Sequence, residues 1–290
     1  MALETLGKTN IKDLVLPPSK KEALTWDFAT KVTNTDWRRL LEELEAVRGF
    51  TDDFKWRSFA TLAHPMKVLF PERVDELKLN DTAFGGIIDH VNFLAEQDKW
   101  TEFGEVAFKL ISLNANKTRD YLPKEAWERL TFALKRTRNT DTFSFGLLAA
   151  NVAGIYPDRK DGLDLNDQAW EKISQEITSI GDNNGLGYSR FAAAARLTFP
   201  DRYLELGLDN QRWEQLGKQF DFTGKVMELE ARGGPNIYRS GHFNYANFAM
   251  NLKILSAEKA VLNNQGIELV MPSGQQFKQP ALPIPTQRRF

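Results

Sequence analysis

The side chains that could do chemistry in this sequence are few and scattered. The 290-residue chain contains no cysteine and three histidines, His64, His90 and His242, and no two of the histidines have the i, i+4 spacing of a metal site on a helix. The absence of cysteine excludes disulfides, thiolate metal sites and cysteine nucleophiles. No zinc motif or phosphate-binding glycine loop is present. We therefore expect no catalytic residue, no cofactor and no metal ion, and we predict that the protein is not an enzyme.

One segment, with the sequence LEARGGPNIYRSGHF, combines several side chains that could contact a partner. These side chains are Arg232, Tyr238, Arg239 and His242. The segment interrupts a sequence repeat, described below, by some 12 residues. Insertions in repeat proteins often lie on a binding face, which predicts a partner-binding loop here. The alternative interpretation is a tolerated surface insertion.

A stripe of asparagines follows this segment directly. Asn244, Asn247 and Asn251 are spaced by three and four residues, so they share one face of a predicted helix. The opposite side of that helix is apolar and is expected to be buried; it consists of Tyr245, Phe248, Leu252 and Leu255. Asparagine is a poor helix former, which makes the cluster notable. The stripe is either a partner-binding face or a plain solvated surface.

The helices that must position these side chains are encoded by a sequence repeat. The stretch FPERVDELKLNDTAF returns as YPDRKDGLDLNDQAW and as FPDRYLELGLDNQRW, and each copy ends on an aromatic residue. These aromatic residues and one further tryptophan follow each other at a strict spacing of 43 residues, and a fifth anchor, also a tryptophan, precedes them at a looser spacing. The five anchors are Trp37, Phe84, Trp127, Trp170 and Trp213.

Each repeat unit is predicted to contain two helices. After each anchor, apolar residues recur at intervals of three and four, which predicts an amphipathic helix, and Asn80, Asn166 and Asp209 stand where they can cap these helices. A second helix precedes each quoted stretch and stops at an apolar residue that is followed in three copies by proline. Arginines recur beside these prolines, and their recurrence favours local pairing over a partner-binding edge; they are Arg73, Arg159 and Arg202.

The length and helix-pair pattern of this unit resemble HEAT-like repeats. The unit is also similar to that of bacterial proteins that repeat an aromatic-Pro-acid-Arg, Leu-x-Leu, acid, Trp pattern. The resemblance implies an all-α chain folded as a right-handed α-solenoid of about five two-helix repeats, with extended arms at both ends. It covers roughly residues 26–262, with an N-terminal arm at 1–25 that is expected to cap the first unit. It carries over no active residue.

The C-terminal segment 263–290 is rich in proline and has no helical periodicity, which favours an extended conformation. Phe277, Leu282 and Ile284 could anchor this tail on a partner or on the solenoid. The alternative is a disordered tail.

Charge and hydropathy limit the possible partners. The 38 Lys and Arg residues nearly balance the 39 Asp and Glu residues, which argues against a general polyanion binder. No apolar run is long enough to span a membrane, and no secretory signal is evident, so we expect a cytoplasmic protein. We therefore predict a non-enzymatic scaffold or adaptor that binds another protein, or a structural subunit of a larger assembly. The alternative is a HEAT-like protein that binds or processes nucleic acid.

Overall fold

The computed structural model describes residues 32–51, 55–180, 184–232 and 240–271 of the chain. Within these ranges the chain forms ten long helices and one short β-hairpin, joined in part by 3₁₀ turns. The helices are α1 (Asn34–Arg48), α2 (Lys55–Leu69), α3 (Asp81–Glu96), α4 (Trp100–Leu113), α5 (Ala126–Thr140), α6 (Thr142–Ile155), α7 (Asp167–Ser179), α8 (Gly185–Thr198), α9 (Asn210–Arg232) and α10 (Ser240–Ser256). The antiparallel strands are β1 (Lys259–Asn263) and β2 (Gly266–Val270).

The prediction of an all-helical chain is confirmed for the described residues, apart from the two short strands. None of the described helices is both long and apolar enough to cross a membrane. The odd-numbered helices are amphipathic, as the repeat predicts: α1 buries Trp37, Leu40, Leu44 and Val47 on one face. The predicted caps form as well. The side chain of Asn80, for example, accepts a hydrogen bond of 3.0 Å from the backbone N–H of Ala83.

The even-numbered helices are buried on most sides because they pack against one another as well as against the odd-numbered helices. Glycine allows the closest approaches between them. A Cβ added to Gly146 of α6 would lie 2.2 Å from the ring of Phe191 on α8, and one added to Gly154 would lie 2.1 Å from the ring of Phe108 on α4. These two glycines set the distance between neighbouring helices, since any larger residue would push the rings away.

The five even-numbered helices form a closed inner ring. In this ring α2 packs against α4, α4 against α6, α6 against α8 and α8 against α10, and α10 packs in turn against α2. The odd-numbered helices lie outside, where each packs against the inner helix that follows it in the chain. The first and last inner helices of the described chain are therefore direct neighbours.

This closure distinguishes the described structure from an open α-solenoid. In an open solenoid each repeat contacts only the repeats adjacent to it in sequence. Here the first and fifth units meet, so the inner faces of the even-numbered helices turn toward one another. A constant rotation from each unit to the next, repeated five times, is enough to bring the ends together, and the sequence period does not reveal that rotation.

Cationic side chains join the inner helices at their C-terminal ends. Lys253 of α10 donates to the carbonyl oxygens of Val68 and Leu69 on α2, at 2.8 and 2.9 Å. Lys67 of α2 donates in the same way to Ser112 and Leu113 of α4, at 2.5 and 3.2 Å. A cation at a helix C-terminus satisfies carbonyls that have no partner within the helix and complements the helix dipole. We call these interactions the carbonyl contacts.

Two arginines extend the same arrangement around the ring. Arg119 donates to the carbonyl of Ile155 at the end of α6, at 2.8 Å. Arg196 of α8 is buried and donates to the carbonyls of Leu255, at 2.5 Å, and Ala257. Each of these cations comes from one unit and holds the helix end of the next, so the carbonyl contacts run around the ring in one direction.

The β-hairpin covers this end of the ring, where β1 and β2 contact α4, α6 and α8. Gly266 has a φ of 105°, and a Cβ there would lie 2.8 Å from the hydroxyl of Ser112, so glycine suits the turn on both counts. The hairpin spans the predicted boundary between the helical domain and the C-terminal tail at residues 262 and 263. Asn264 and Gln265 precede that glycine, and turn residues of this kind beside a glycine are a sequence signal for a hairpin.

The repeated stretch forms the joint that follows an inner helix. Arg73 lies over the ring of Trp37 at 4.6 Å and pairs with Glu76, which also accepts a 2.8 Å hydrogen bond from the indole N–H of Trp37. Arg202, Glu205 and Trp170 repeat the arrangement, with the arginine 5.1 Å from the ring and an indole hydrogen bond of 2.7 Å. These contacts are local pairings within each joint, as the recurrence of the arginines in the sequence predicts.

We predict that Lys253→Met lowers the free energy of unfolding by about 1–3 kcal/mol, because it leaves two helix-end carbonyls without their charged donor where the ring closes. Chemical denaturation of the wild type and the variant measures the difference. The matched control is Lys218→Met, which removes an ammonium that is 73% exposed and pairs with Glu214; a change of about 0.5 kcal/mol or less is expected there. Equal effects of the two substitutions would contradict the role assigned to Lys253.

Candidate functional site

A cavity of about 420 Å³ lies along the axis of the inner ring. All five inner helices contribute to its wall, and Ile267 of the hairpin also lines it. Much of the wall is apolar, including Phe108, Leu147 and Ile254. Because the inner helices point the same way and the hairpin lies at their C-terminal ends, residues early in these helices lie far from the hairpin and late residues lie near it.

Four charged residues from three inner helices meet at this cavity: Glu105, Lys109 and Arg190 line it, and Arg57 approaches Glu105 from beside the lining residues. Glu105 of α4 accepts a 2.6 Å hydrogen bond from Lys109, one helical turn later. The same carboxylate lies 3.6 Å from a guanidinium nitrogen of Arg190 on α8 and 3.7 Å from one of Arg57 on α2. Lys109 also donates to the hydroxyl of Thr61 on α2, at 3.0 Å. We call Arg57, Glu105, Lys109 and Arg190 the charged cluster.

The charge of Lys109 holds the pKa of Glu105 down to about 2, against the opposing effect of burial, and the two arginines add to the effect of Lys109. Burial lowers the pKa of Lys109, and the carboxylate of Glu105 opposes that change. The 2.6 Å separation is that of a charge-assisted hydrogen bond between ionised partners. With all four groups ionised, the charged cluster carries three positive charges and one negative charge.

His64 of α2 also lines the cavity, three residues after Thr61 on the same helix. It is 2% exposed, and its ring meets that of Phe108 edge to face at 5.4 Å. Burial, with smaller contributions from the charges of Lys109 and Lys67, lowers the pKa of His64 to about 3, so the imidazole is neutral at pH 7. Neither ring nitrogen has a hydrogen-bond partner among the described residues.

The predicted asparagine stripe also lies on this cavity. Asn244, Asn247 and Asn251 all line it, and they change from exposed through half-buried to buried along α10. The amide nitrogen of Asn251 has no hydrogen-bond partner among the described residues, whereas that of Asn247 donates to the carbonyl of Phe243 at 2.8 Å. The apolar side of this helix is buried as predicted, at Tyr245, Phe248, Leu252 and Leu255.

Of the remaining predicted site residues, His242 is the one whose side chain the structure describes, and it is not among the residues that line the cavity. His242 is buried beside α9, with its Nδ1 atom 3.6 Å from a carboxylate oxygen of Glu230. Arg232 ends α9, and its side chain is outside the description. The other predicted residues, Tyr238, Arg239, Phe277, Leu282 and Ile284, lie outside the described ranges.

The charged cluster is not among the residues predicted from the sequence, although the repeat contains a signal for part of it. At the 43-residue spacing, Glu105 aligns with Leu62, Leu148 and Phe191, and all three are buried. Lys109 likewise aligns with buried apolar residues, which are Met66, Val152 and Ala195. A carboxylate and an ammonium four residues apart, at positions that are apolar core in the other units, indicate a buried ion pair.

Comparison with protein-family models, curated proteins and solved structures finds no match to this chain. Within the described ranges, no group of three or more histidine, aspartate or glutamate side chains is arranged to hold a metal ion. The functional argument therefore depends on the cavity and the side chains that line it.

We predict that His64 makes the protein sensitive to acid. Its folded-state pKa of about 3 lies below the value of 6.5 expected in the unfolded chain, so the unfolded chain binds a proton that the folded chain does not between these two pH values. Stability therefore falls as the pH is lowered from 6.5 towards 3, and the variant His64→Leu should lose this dependence. The slope of unfolding free energy against pH should differ between wild type and variant by up to about 1.4 kcal/mol per pH unit.

Denaturation of both proteins between pH 7 and pH 4 measures this slope. Thr61→Val serves as the control, since it changes a neighbouring cavity residue without removing a titrating group. If wild type and His64→Leu show the same pH dependence, another group is responsible for the acid sensitivity.

Proposed function

We propose that this protein binds a small organic molecule in the central cavity of the helical ring. The observation that carries the proposal is the cavity itself: about 420 Å³, lined by five helices and a hairpin, with a wall that is largely apolar and a few polar groups directed at one space. Cavities of roughly 300–1,000 Å³ with this composition are typical of small-molecule sites. The asparagine stripe supports the proposal because its three side chains face the same space.

Unpaired polar atoms on the wall also support ligand binding. The nitrogens of His64 and the amide nitrogen of Asn251 are buried without a protein partner among the described residues. A buried polar group without a hydrogen bond costs about 1–3 kcal/mol, so a ligand that pairs with these groups recovers free energy that the fold alone does not.

We propose binding without catalysis, in agreement with the sequence-based prediction. The two groups in the cavity that could exchange protons are poorly suited to do so near neutral pH. The pKa of Glu105 is held near 2 and that of His64 near 3, whereas an effective general acid or base has a pKa near the working pH. Lys109 is already bound to Glu105 and Thr61.

The prediction of a protein-binding scaffold or structural subunit, as a right-handed HEAT-like solenoid in the cytoplasm, stays a prediction. An open solenoid would present its inner helices, and with them the asparagine stripe, to an extended partner chain. With the ring closed, that stripe faces a cavity suited to a small molecule. The alternative of nucleic-acid binding gains no support from Lys67 and Arg196, because both cations donate to backbone carbonyls.

The test is to fill the cavity. Ala150 of α6 lines it and is 5% exposed, so we expect Ala150→Phe to occupy the space of a ligand. Binding is followed with two fluorescent probes of the same apolar body, the anionic 8-anilinonaphthalene-1-sulfonate and the uncharged N-phenyl-1-naphthylamine. We predict saturable binding of at least one probe at one site per chain, and a loss of affinity of about tenfold or more in Ala150→Phe.

The matched control is Ala231→Phe, which adds the same ring at an exposed position of α9 and should leave binding unchanged. Circular dichroism shows whether each variant is folded. The proposal is wrong if neither probe binds the folded wild type saturably, or if Ala150→Phe binds both probes as tightly as the control.

A further inference from the structure

The two arginines of the charged cluster keep hydrogen-bond donors that the described residues do not use. Their side chains are 36% exposed for Arg57 and 48% exposed for Arg190, whereas that of Lys109 is 9% exposed. Each arginine approaches Glu105 at a distance beyond a normal hydrogen bond, 3.7 Å for Arg57 and 3.6 Å for Arg190. No hydrogen bond donated by either guanidinium is found among the described residues, so their donors are available to a ligand.

The positive charges of the cluster also outnumber its single negative charge. Glu105 is the one acidic residue among the described residues that line the cavity, and Lys109 already contacts it at 2.6 Å. The two arginines therefore form an excess of positive charge around Glu105, which favours an anionic group there. Because both guanidiniums lie within 3.7 Å of one carboxylate, a second oxyanion placed beside Glu105 is within reach of both.

The opposite part of the cavity has a different character. Leu197, Ile254 and Ile267 line it towards the hairpin, and no charged lining residue lies among them at that end. His64 and Asn251, whose unpaired nitrogens are buried, line the cavity as well. A ligand that fits both parts has an anionic group at one end and an apolar body at the other.

We infer that the ligand of the cavity is an apolar organic oxyanion, whose carboxylate, sulfonate or phosphate group binds Arg57 and Arg190 while its body lies on the apolar wall near the hairpin. This inference rests on the proposed function, and it adds the chemical class of the ligand. Guanidinium groups suit this role because their planar donors match the oxygens of an oxyanion. Neutral polar groups on the ligand body would pair with His64 and Asn251.

The two probes used for the cavity test this inference because they differ by a sulfonate. We expect the wild type to bind 8-anilinonaphthalene-1-sulfonate at least about tenfold more tightly than N-phenyl-1-naphthylamine, and Arg190→Gln to remove most of that preference while its affinity for the uncharged probe stays within about twofold. Arg136→Gln makes the same change of charge at an exposed position of α5 and should leave both affinities unchanged.

A second variant acts in the opposite direction. Glu105→Gln removes the carboxylate that competes for the two arginines, so the folded variant should bind the sulfonate probe at least about threefold more tightly and the uncharged probe as before. Thermal unfolding shows whether Glu105→Gln is folded. If it is not, the inference is decided by Arg190→Gln alone, which replaces a half-exposed side chain.

The outcomes separate this inference from the proposed function. If both probes bind equally and Ala150→Phe abolishes both, a cavity ligand remains supported and the oxyanion is ruled out. If Arg190→Gln leaves the preference for the sulfonate intact, the arginines are not the anion site. If neither probe binds the folded wild type saturably, the cavity is not a ligand site and the inference is overturned together with the proposed function.

Discussion

The packing of α10 against α2 is the constraint on which the rest of the structure depends. Without it the five helix pairs would form an open row, and the faces of the even-numbered helices would be exposed to solvent. Lys253 reinforces the closure through the carbonyls of Val68 and Leu69, and burial lowers the pKa of this lysine to about 8, against the opposing charge of Glu72. At pH 7 the ammonium therefore remains mostly charged and remains a strong donor to the helix end.

Closure also explains why the carbonyl contacts and the cavity occupy different parts of the ring. The last carbonyls of an inner helix have no partner within the helix, and in a ring each such end lies beside the next helix. Cations such as Lys67 and Arg196 are used there, close to the hairpin. Arg57, Glu105 and Arg190 lie earlier in their helices, away from those carbonyls, and neither guanidinium donates a hydrogen bond to a helix end among the described residues.

The sequence predicts the local structure well because local structure repeats. The anchors, the caps and the joints recur every 43 residues, and contacts such as that of Arg73 with Trp37 are made within one unit. Closure of the ring is not predictable from the same pattern, since it depends on small rotations that accumulate over five units and on a contact between helices far apart in the chain. The hairpin has no counterpart in the repeat, so its role also lies outside what periodicity can reveal.

The candidate site was only partly predictable for a related reason. Equivalent positions of different units face the same axis, so the chemistry of the cavity is set by departures from the repeat at those positions. His64, for example, stands where the following units have Ala107, Ala150 and Ala193, and Arg190 stands where two others have Thr61 and Leu147. These departures leave the anchors and joints unchanged, so the composition of the wall can vary while the ring that encloses it is preserved. In a closed repeat of this kind, we expect residues that differ at equivalent inward positions to determine what is bound, and residues that recur to determine the fold.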